Sequence, residues 1–185
     1  MRKGQAKSGK RVWLVHRLDR ETSGVLMFAK SEALASRIRD EWNSLTGKRY
    51  VALVEGALDA PSGVFESYLR DDPRTMKVSS VGEPSKGKFA RTEWRRLSSC
   101  GSATLVEAFL KTGRKNQIRV HFAEAGHPVV GDAKYGGRKA KRLCLHSSEL
   151  TFRHPLTGRE FRWSAPAPEP LRARPRPEAT SRTGT

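Results

Sequence analysis

One carboxylate in this chain stands in a setting suited to chemistry. Asp19 sits between Arg17 and Arg20 in His16-Arg17-Leu18-Asp19-Arg20-Glu21-Thr22-Ser23-Gly24, and the apolar run Val25-Leu26-Met27-Phe28-Ala29 follows at once. Neighbouring guanidinium groups favour the charged form of a carboxyl and lower its pKa. Ionised and held rigidly, Asp19 can act as a nucleophile at an electrophilic carbon. The competing description is an exposed loop aspartate that pairs with its neighbours and does nothing, since surface pairs are worth little. A glycosidase would need two carboxylates at a fixed separation. Glu21 is the nearest candidate, but it shares one short turn with Asp19.

A second group of chemical residues lies in Thr112-Gly113-Arg114-Lys115-Asn116-Gln117-Ile118-Arg119-Val120-His121. Glycine followed by Arg114 and Lys115 at a helix start forms a phosphate cradle, because free backbone N–H groups and the helix dipole favour anions. Read alone, Arg119 is a solvated helix cation. Tyr50, in Lys48-Arg49-Tyr50-Val51-Ala52, reads alone as a half-buried residue at a strand start. The five histidines, His16, His121, His127, His146 and His154, fall into no metal-binding spacing. No metal and no cofactor is implied. Four scattered tryptophans, Trp13, Trp42, Trp94 and Trp163, read as core packing.

The elements that must position these groups follow from periodicity. Val12–Val15 reads as a strand delivering the His16–Gly24 turn, and Val25–Ala29 as a second strand. Ser31–Leu45 carries Leu34, Ile38 and Trp42 or Leu45 at helical spacing, with Ser31 as N-cap. Tyr50–Glu55 is a short strand ending at Gly56. Asp71–Lys88 mixes Pro, Gly, Ser and Lys without periodicity and reads as a long excursion. Its Arg74, Lys77, Lys86 and Lys88 are candidates for gripping a polyanion away from Asp19. Arg91–Leu97 and Ala103–Lys111 alternate as adjacent antiparallel strands. Asn116–Ala125 reads as a helix closed by Gly126, and Leu143–Leu145, Glu149–Phe152 and Phe161–Trp163 as further strands.

Composition bounds the class independently. The chain of 185 residues carries 36 Lys and Arg against 19 Asp and Glu, a formal charge of +17. That balance predicts attraction to a polyanion through counterion release. No apolar window reaches a membrane span, and residues 1–11 lack the apolar core of a secretory signal, so the expected location is the cytoplasm, without membrane contact. Cys100 and Cys144 read as buried small hydrophobes. Three regions are expected: a basic mobile arm over 1–11, one catalytic domain over 12–165, and a disordered tail over 166–185 with no apolar stripe to bury.

His-Arg-Leu-Asp-Arg-x-Thr-Ser-Gly followed by an apolar strand and Ala-Lys closely resembles the catalytic motif of the RluA-type family of RNA pseudouridine synthases. His16 and Ser23 separate it from the RsuA-type branch, which opens with Gly-Arg-Leu-Asp. Thr112–His121 resembles the family's Thr-Gly-Arg-x-His-Gln-Ile-Arg-Val-His, with Asn116 where many members have His, and Lys48–Ala52 resembles Lys-x-Tyr-x-Ala. Further matches are Gly126–Asp132 with Tyr135-Gly136, and Arg142–His146. These last two are expected to be structural turns and core around the cleft.

The resemblance implies an α/β (α+β) catalytic fold, with a mixed, mostly antiparallel sheet and flanking helices. It implies isomerisation of a uridine in ribosomal or transfer RNA by a monomer without cofactor. Asp19 would attack the ribose anomeric carbon or assist a glycal route, Arg119 would pair with Asp19, and Tyr50 would pack against the base. His16, Arg17, Arg20, Thr22, Arg114, Asn116, Gln117 and Leu145 would bind substrate, Leu145 by lining the uracil pocket. A non-catalytic RNA-binding protein on the same fold is the alternative. The resemblance spans about Val12–Pro166 and breaks at the front. Members there have further strands, including a Lys-Pro-x-Gly segment, and many carry an S4 domain, so an open sheet edge and a cleft short of one wall are expected.

Overall fold

The computed structural model describes residues 3–5 and 11–172. Its centre is an eight-stranded sheet in which β5 (Thr46–Glu55), β9 (Ala103–Leu110), β8 (Lys88–Cys100) and β6 (Ser62–Asp71) pair antiparallel in that order. β10 (Leu145–Arg153) flanks β5, β11 (Glu160–Ser164) closes one edge and β7 (Val78–Val81) the other. The parallel pairing is the two-residue β3 (Ser23–Gly24) against His146 and Ser147 of β10. A separate three-stranded sheet joins β1 (Lys3–Gln5), β2 (Arg11–Leu14) and β4 (Phe28–Ala29). The mixed, mostly antiparallel sheet expected from the sequence is therefore present.

Buried residues lie on both faces of the central strands, adjacent Leu105 and Val106 of β9 among them. Helix α3 (Gln117–Glu124) buries Ile118 and Phe122 against Val54, Trp94, Leu105 and Val106, while Val120 packs on Leu69, Val78 and Ala90. A second cluster holds Val15, Ala29, Ala35, Ile38, Leu45 and Phe152 beneath α1 (Glu32–Asp40) and the one-turn α2 (Trp42–Leu45). Ser31 caps α1 by accepting the Leu34 N–H at 3.4 Å, as its position predicts.

Several boundaries differ from the sequence reading, each for a physical reason. Val25–Ala29 is not one strand: only Phe28 and Ala29 pair, because the Val25 and Met27 N–H groups bond to Ser147 O and His16 Nε2. Ser62–Asp71, unpredicted, is a ten-residue strand whose burial alternates, yet Gly63 and polar residues at Ser62, Glu66 and Ser67 dilute the apolar period. The Asp71–Lys88 excursion folds back as β7 on β6, followed by a single 3-10 turn at Pro84–Lys86. Leu143–Leu145 and Glu149–Phe152 are joined in one structure by a bulge at Ser148, so that β10 starts at Leu145 and continues to Arg153.

At the termini, Lys3–Gln5 pairs with Arg11–Trp13, and Leu171 is 1% exposed in the core, which moves the start of any tail past residue 166. The rest of the expected arm and tail, residues 1–2, 6–10 and 173–185, lies outside the described residues, as does the Cys100 side chain. Cys144 is buried.

Candidate active site

The Asp19 loop is held at both ends. It leaves β2 at Val15, turns through the Thr22 N–H bond to Asp19 O at 2.9 Å, and returns to the sheet at β3. His16 pins it internally: Nε2 accepts the Met27 N–H at 2.9 Å, and the ring stacks on Trp42 at 4.5 Å between centroids. Burial and the nearby Lys48 charge pull the His16 pKa down to about 4, so the ring is a neutral acceptor. Gly24 is required by contact: at φ +122° a Cβ would stand 2.1 Å from Ser147 O. Ser23 Oγ bonds His146 Nδ1 at 2.8 Å and accepts from Arg142. The two residues that set the motif apart, His16 and Ser23, thus both fasten the loop to the scaffold.

These constraints place Asp19 in a cleft of about 260 Å³ lined by His16, Arg17, Leu18, Thr22, Arg39, Trp42, Lys48, Tyr50, Arg114, Gln117, Ile118 and Leu145, among others. Asp19 is its one carboxylate among the described residues. Tyr50, Ile118, Leu18 and Leu145 give the cleft an apolar wall beside the carboxylate. Burial raises the Asp19 pKa above its ordinary value, outweighing the Arg119 charge, the Asn116 N–H directed at the carboxylate and the Arg17 charge. This corrects the sequence expectation of a depressed value, which counted the arginines and not the desolvation. Burial likewise pushes the Tyr50 phenol up to about 12, so it stays protonated.

Arg119 does not ion-pair directly with Asp19. Its guanidinium forms a two-pronged pair with Asp132, Nε to Oδ2 and Nη2 to Oδ1 both at 2.6 Å, with Arg119 at 6% and Asp132 at 0% side-chain exposure. A third donor reaches Asn116 Oδ1 at 3.3 Å, and the group lies 5.2 Å from the Tyr135 ring centre. Asn116 sits in the left-handed region at φ 54°, which Asn tolerates, donates to Tyr135 Oη at 2.9 Å, and turns its own N–H toward Asp19. Asp132 and Tyr135, read from sequence as turn and core, are therefore the supports of Arg119. The signal for them was present in the second half of the motif set, in Gly126–Asp132 and Tyr135-Gly136.

The expected phosphate cradle before α3 is occupied by protein. Gln117 Oε1 accepts the Arg114 N–H at 3.0 Å and the Thr112 hydroxyl at 2.7 Å, and the Asn116 N–H serves Asp19. Gln117 itself is 2% exposed and its amide bonds Arg91 O and Thr92 Oγ1, so it acts mainly as scaffold. Thr22 Oγ1 is buried at the cleft wall with no partner among the described residues. Arg20 is exposed and stands outside the cleft lining, and the Asn116 side chain faces Tyr135. Trp42 lines the cleft, and Trp163 is 39% exposed beside Phe161, so these two are not simple core residues.

Of the loop cations, Lys86 and Lys88 join Arg70, Arg114 and Lys115 around a second groove that adjoins the cleft through Gly113 and Arg114. Lys86 also pairs with Glu83 at 2.5 Å. Arg74 and Lys77 are exposed on the turn capped by Asp72, away from that groove.

The family profile described as RNA pseudouridylate synthase matches residues 1–124. Among curated relatives, "Ribosomal large subunit pseudouridine synthase C" of Yersinia pestis is 40% identical over 176 residues, covering 86% of this chain and 53% of its own length. "Uncharacterized RNA pseudouridine synthase YlyB" of Bacillus subtilis is 37% identical over 162 residues, with 85% and 53% covered. The chain spans about half the length of the curated relatives it matches. In solved structures, human RNA pseudouridylate synthase domain containing 1 superposes with TM-score 0.71 at 26% identity, covering 84% of this chain and 69% of that one. The family profile, the curated relatives and the structural likeness agree, and the chain belongs to the RNA pseudouridylate synthase family, in its RluA-type branch.

Proposed function

We propose that this chain isomerises a uridine of RNA to pseudouridine, with Asp19 as the reacting group. The observation that carries the reading is a single half-buried carboxylate, Asp19, at the wall of a cleft of about 260 Å³ beside Tyr50 and Leu145. A base inside a helix cannot reach such a cleft, so the uridine is flipped out, with Tyr50 and Leu145 against the uracil. The Asp19 carboxylate attacks C1′ or assists a glycal route, and the N1–C1′ bond breaks with its electron pair on uracil. The base rotates and C5 bonds to C1′ as the ester bond from C1′ to Asp19 breaks, or, on the glycal route, as the C1′=C2′ bond opens and Asp19 returns its proton to C2′; the C5 proton then leaves and N1 takes one up. Composition is unchanged, and no water or redox partner enters.

Arg119 acts in this reading as a fixed positive charge behind Asp19, held there by Asp132. The unpartnered Thr22 hydroxyl and Arg17 are offered to the nucleotide, while His16 and Gln117 position the walls. Arg114, Lys86 and Lys88 carry the flanking strand, with Arg74 and Lys77 as outlying contacts on the turn between β6 and β7. Ribosomal RNA is the first substrate to test, because relatives at 37–40% identity bear the name of a large-subunit enzyme; transfer RNA is the other. The protein acts as a monomer in the cytoplasm. No described helix is long and apolar enough to cross a membrane.

Incubating the chain with unmodified ribosomal and transfer RNA transcripts, then mapping pseudouridine by mass spectrometry, tests the reading. A single modified uridine supports it. RNA binding without product in either class points to the binding-only alternative.

A further inference from the structure

Four cations line the cleft against one carboxylate, and three of them are tethered only to neutral groups. Lys48 Nζ donates to Asn43 Oδ1 at 2.9 Å, Arg39 Nη1 to Leu14 O at 3.1 Å, and Arg114 Nε to Phe89 O at 2.9 Å. None of the three has a carboxylate within ion-pair distance among the described residues. Lys48 is 8% exposed and uses one of its three donors in this way. Its neighbour Arg49, on the opposite face of β5, sits between Glu107 at 3.0 Å and Glu149 at 2.5 Å. One strand thus carries a neutralised cation on its back and an uncompensated one toward the cleft.

We propose that Lys48, with Arg39 and Arg114, forms an anion subsite that takes a phosphodiester of the RNA strand next to the target uridine. The proposal rests on the RNA-modifying reading above. Burying an ammonium without a counter-ion is costly. Here burial first, and then Arg114, draws the Lys48 pKa down to about 8. A cation kept in that state is explained by a ligand that brings the missing negative charge. Position identifies which charge. Lys48 and Tyr50 share a face of β5, so Lys48 stands about 7 Å along the strand from the residue against the base. Lys48, Tyr50 and Asp19 all line the same cleft. Lys48 is therefore beside the reacting centre, where the backbone of the flipped nucleotide passes, and a neutral uracil offers it no charge.

The groups facing this end of the cleft are His16, Arg17, Asp19, Arg39, Tyr50 and Arg114. His16 stays neutral above about 4 and Tyr50 protonated below about 12. In an Asp19→Asn background Lys48 is left as the group of the set that changes charge from pH 7 to 9.

The test is RNA binding by the full chain in that background, using a uridine-containing stem-loop transcript, with Lys48, Lys48→Gln and Lys48→Arg compared across salt and pH. Lys48→Gln is expected to bind about 5- to 10-fold more weakly and to lose about 0.9 from the slope of log affinity against log salt. With Lys48 intact, affinity falls as pH passes about 8, and Lys48→Arg keeps its affinity there. The RNA-free Lys48→Gln chain should melt no lower than its parent, because the substitution removes an uncompensated charge; a purely structural lysine would do the opposite. Wild-type affinity and salt slope in Lys48→Gln, or the same loss above pH 8 in Lys48→Arg, would overturn the subsite. Pseudouridine formation by the wild-type chain on the same transcript reports separately on the function. Product with Lys48-independent binding sinks only the subsite, and Lys48-dependent binding without product sinks only the isomerase reading.

Discussion

Arg119 and Asp132 form a buried two-pronged ion pair with both contacts at 2.6 Å, and Asp19 feels that arginine only at longer range. The cation behind the carboxylate of the cleft is thus neutralised by a different carboxylate. Arg119 can stay buried and fixed whether or not Asp19 is charged, which suits a group whose partner reacts.

The first prediction concerns this pair. Removing one partner of a buried ion pair strands the other, at about 3–5 kcal/mol. Asp132→Asn, although absent from the cleft lining, should lower stability by roughly that amount and activity with it. Arg119→Met combined with Asp132→Asn should be more stable than either single change. Chemical denaturation of the three variants checks this, and additive losses in the double variant would contradict it.

The second concerns pH. The Asp19 pKa is raised by burial, so its charged form is disfavoured in the fold. Any stabilisation tied to this group is present below its unfolded pKa and lost as pH rises through the folded one. At neutral pH the ionised carboxylate therefore costs stability. Asp19→Asn should melt higher than the parent at pH 7 while making no pseudouridine, and the acid limb of activity should lie above the ordinary aspartate value of 3.8. A melt lowered by Asp19→Asn would count against this electrostatic account.

Histidines supply the third. Burial lowers both His16 and His121 to about 4 from 6.5. A depressed histidine contributes stability that is present above 6.5 and lost as pH falls toward 4. For His121, 3% exposed and bonded to Thr92 and Ser67 hydroxyls, the full loss is on the order of 3 kcal/mol. Melting between pH 7 and pH 4 should show a steep fall that His121→Gln flattens; equal pH slopes in parent and variant would refute it.

A fourth follows from close contact at Gly24. A methyl group there would press on Ser147 O and require an unfavourable φ. Gly24→Ala should cost about 2 kcal/mol or more and displace the Asp19 loop, so that kcat falls more than RNA affinity. Ser23→Ala, which removes only two side-chain hydrogen bonds, should be milder by both readouts.

Much of the site was legible because its chemistry sits in short runs. The Asp19 loop, Tyr50 and Leu145 lie where the motifs put them, around one cleft. Partners contributed from afar were not legible in the same way. Nothing local to Asp132 tells that its side chain crosses 13 positions to Arg119, and nothing local to Gln117 tells that its amide fills the turn expected to hold phosphate. Lys48 was in view within its motif, but its lack of a counter-ion is a property of packing. In the fold, long alternating strands such as β9 were readable. β6 was obscured by polar residues on a sheet face only partly covered, and β3 and β4 by being two residues long, held by pairings no local pattern records.

Central to the account is that Asp19 performs the isomerisation. Pseudouridine should be mapped by mass spectrometry or carbodiimide chemistry in RNA of cells expressing the chain, beside cells expressing Asp19→Asn at equal level. The prediction is one uridine modified with Asp19 intact and unmodified with Asn. Equal modification in both, or none in either with both chains folded and bound to RNA, would contradict it.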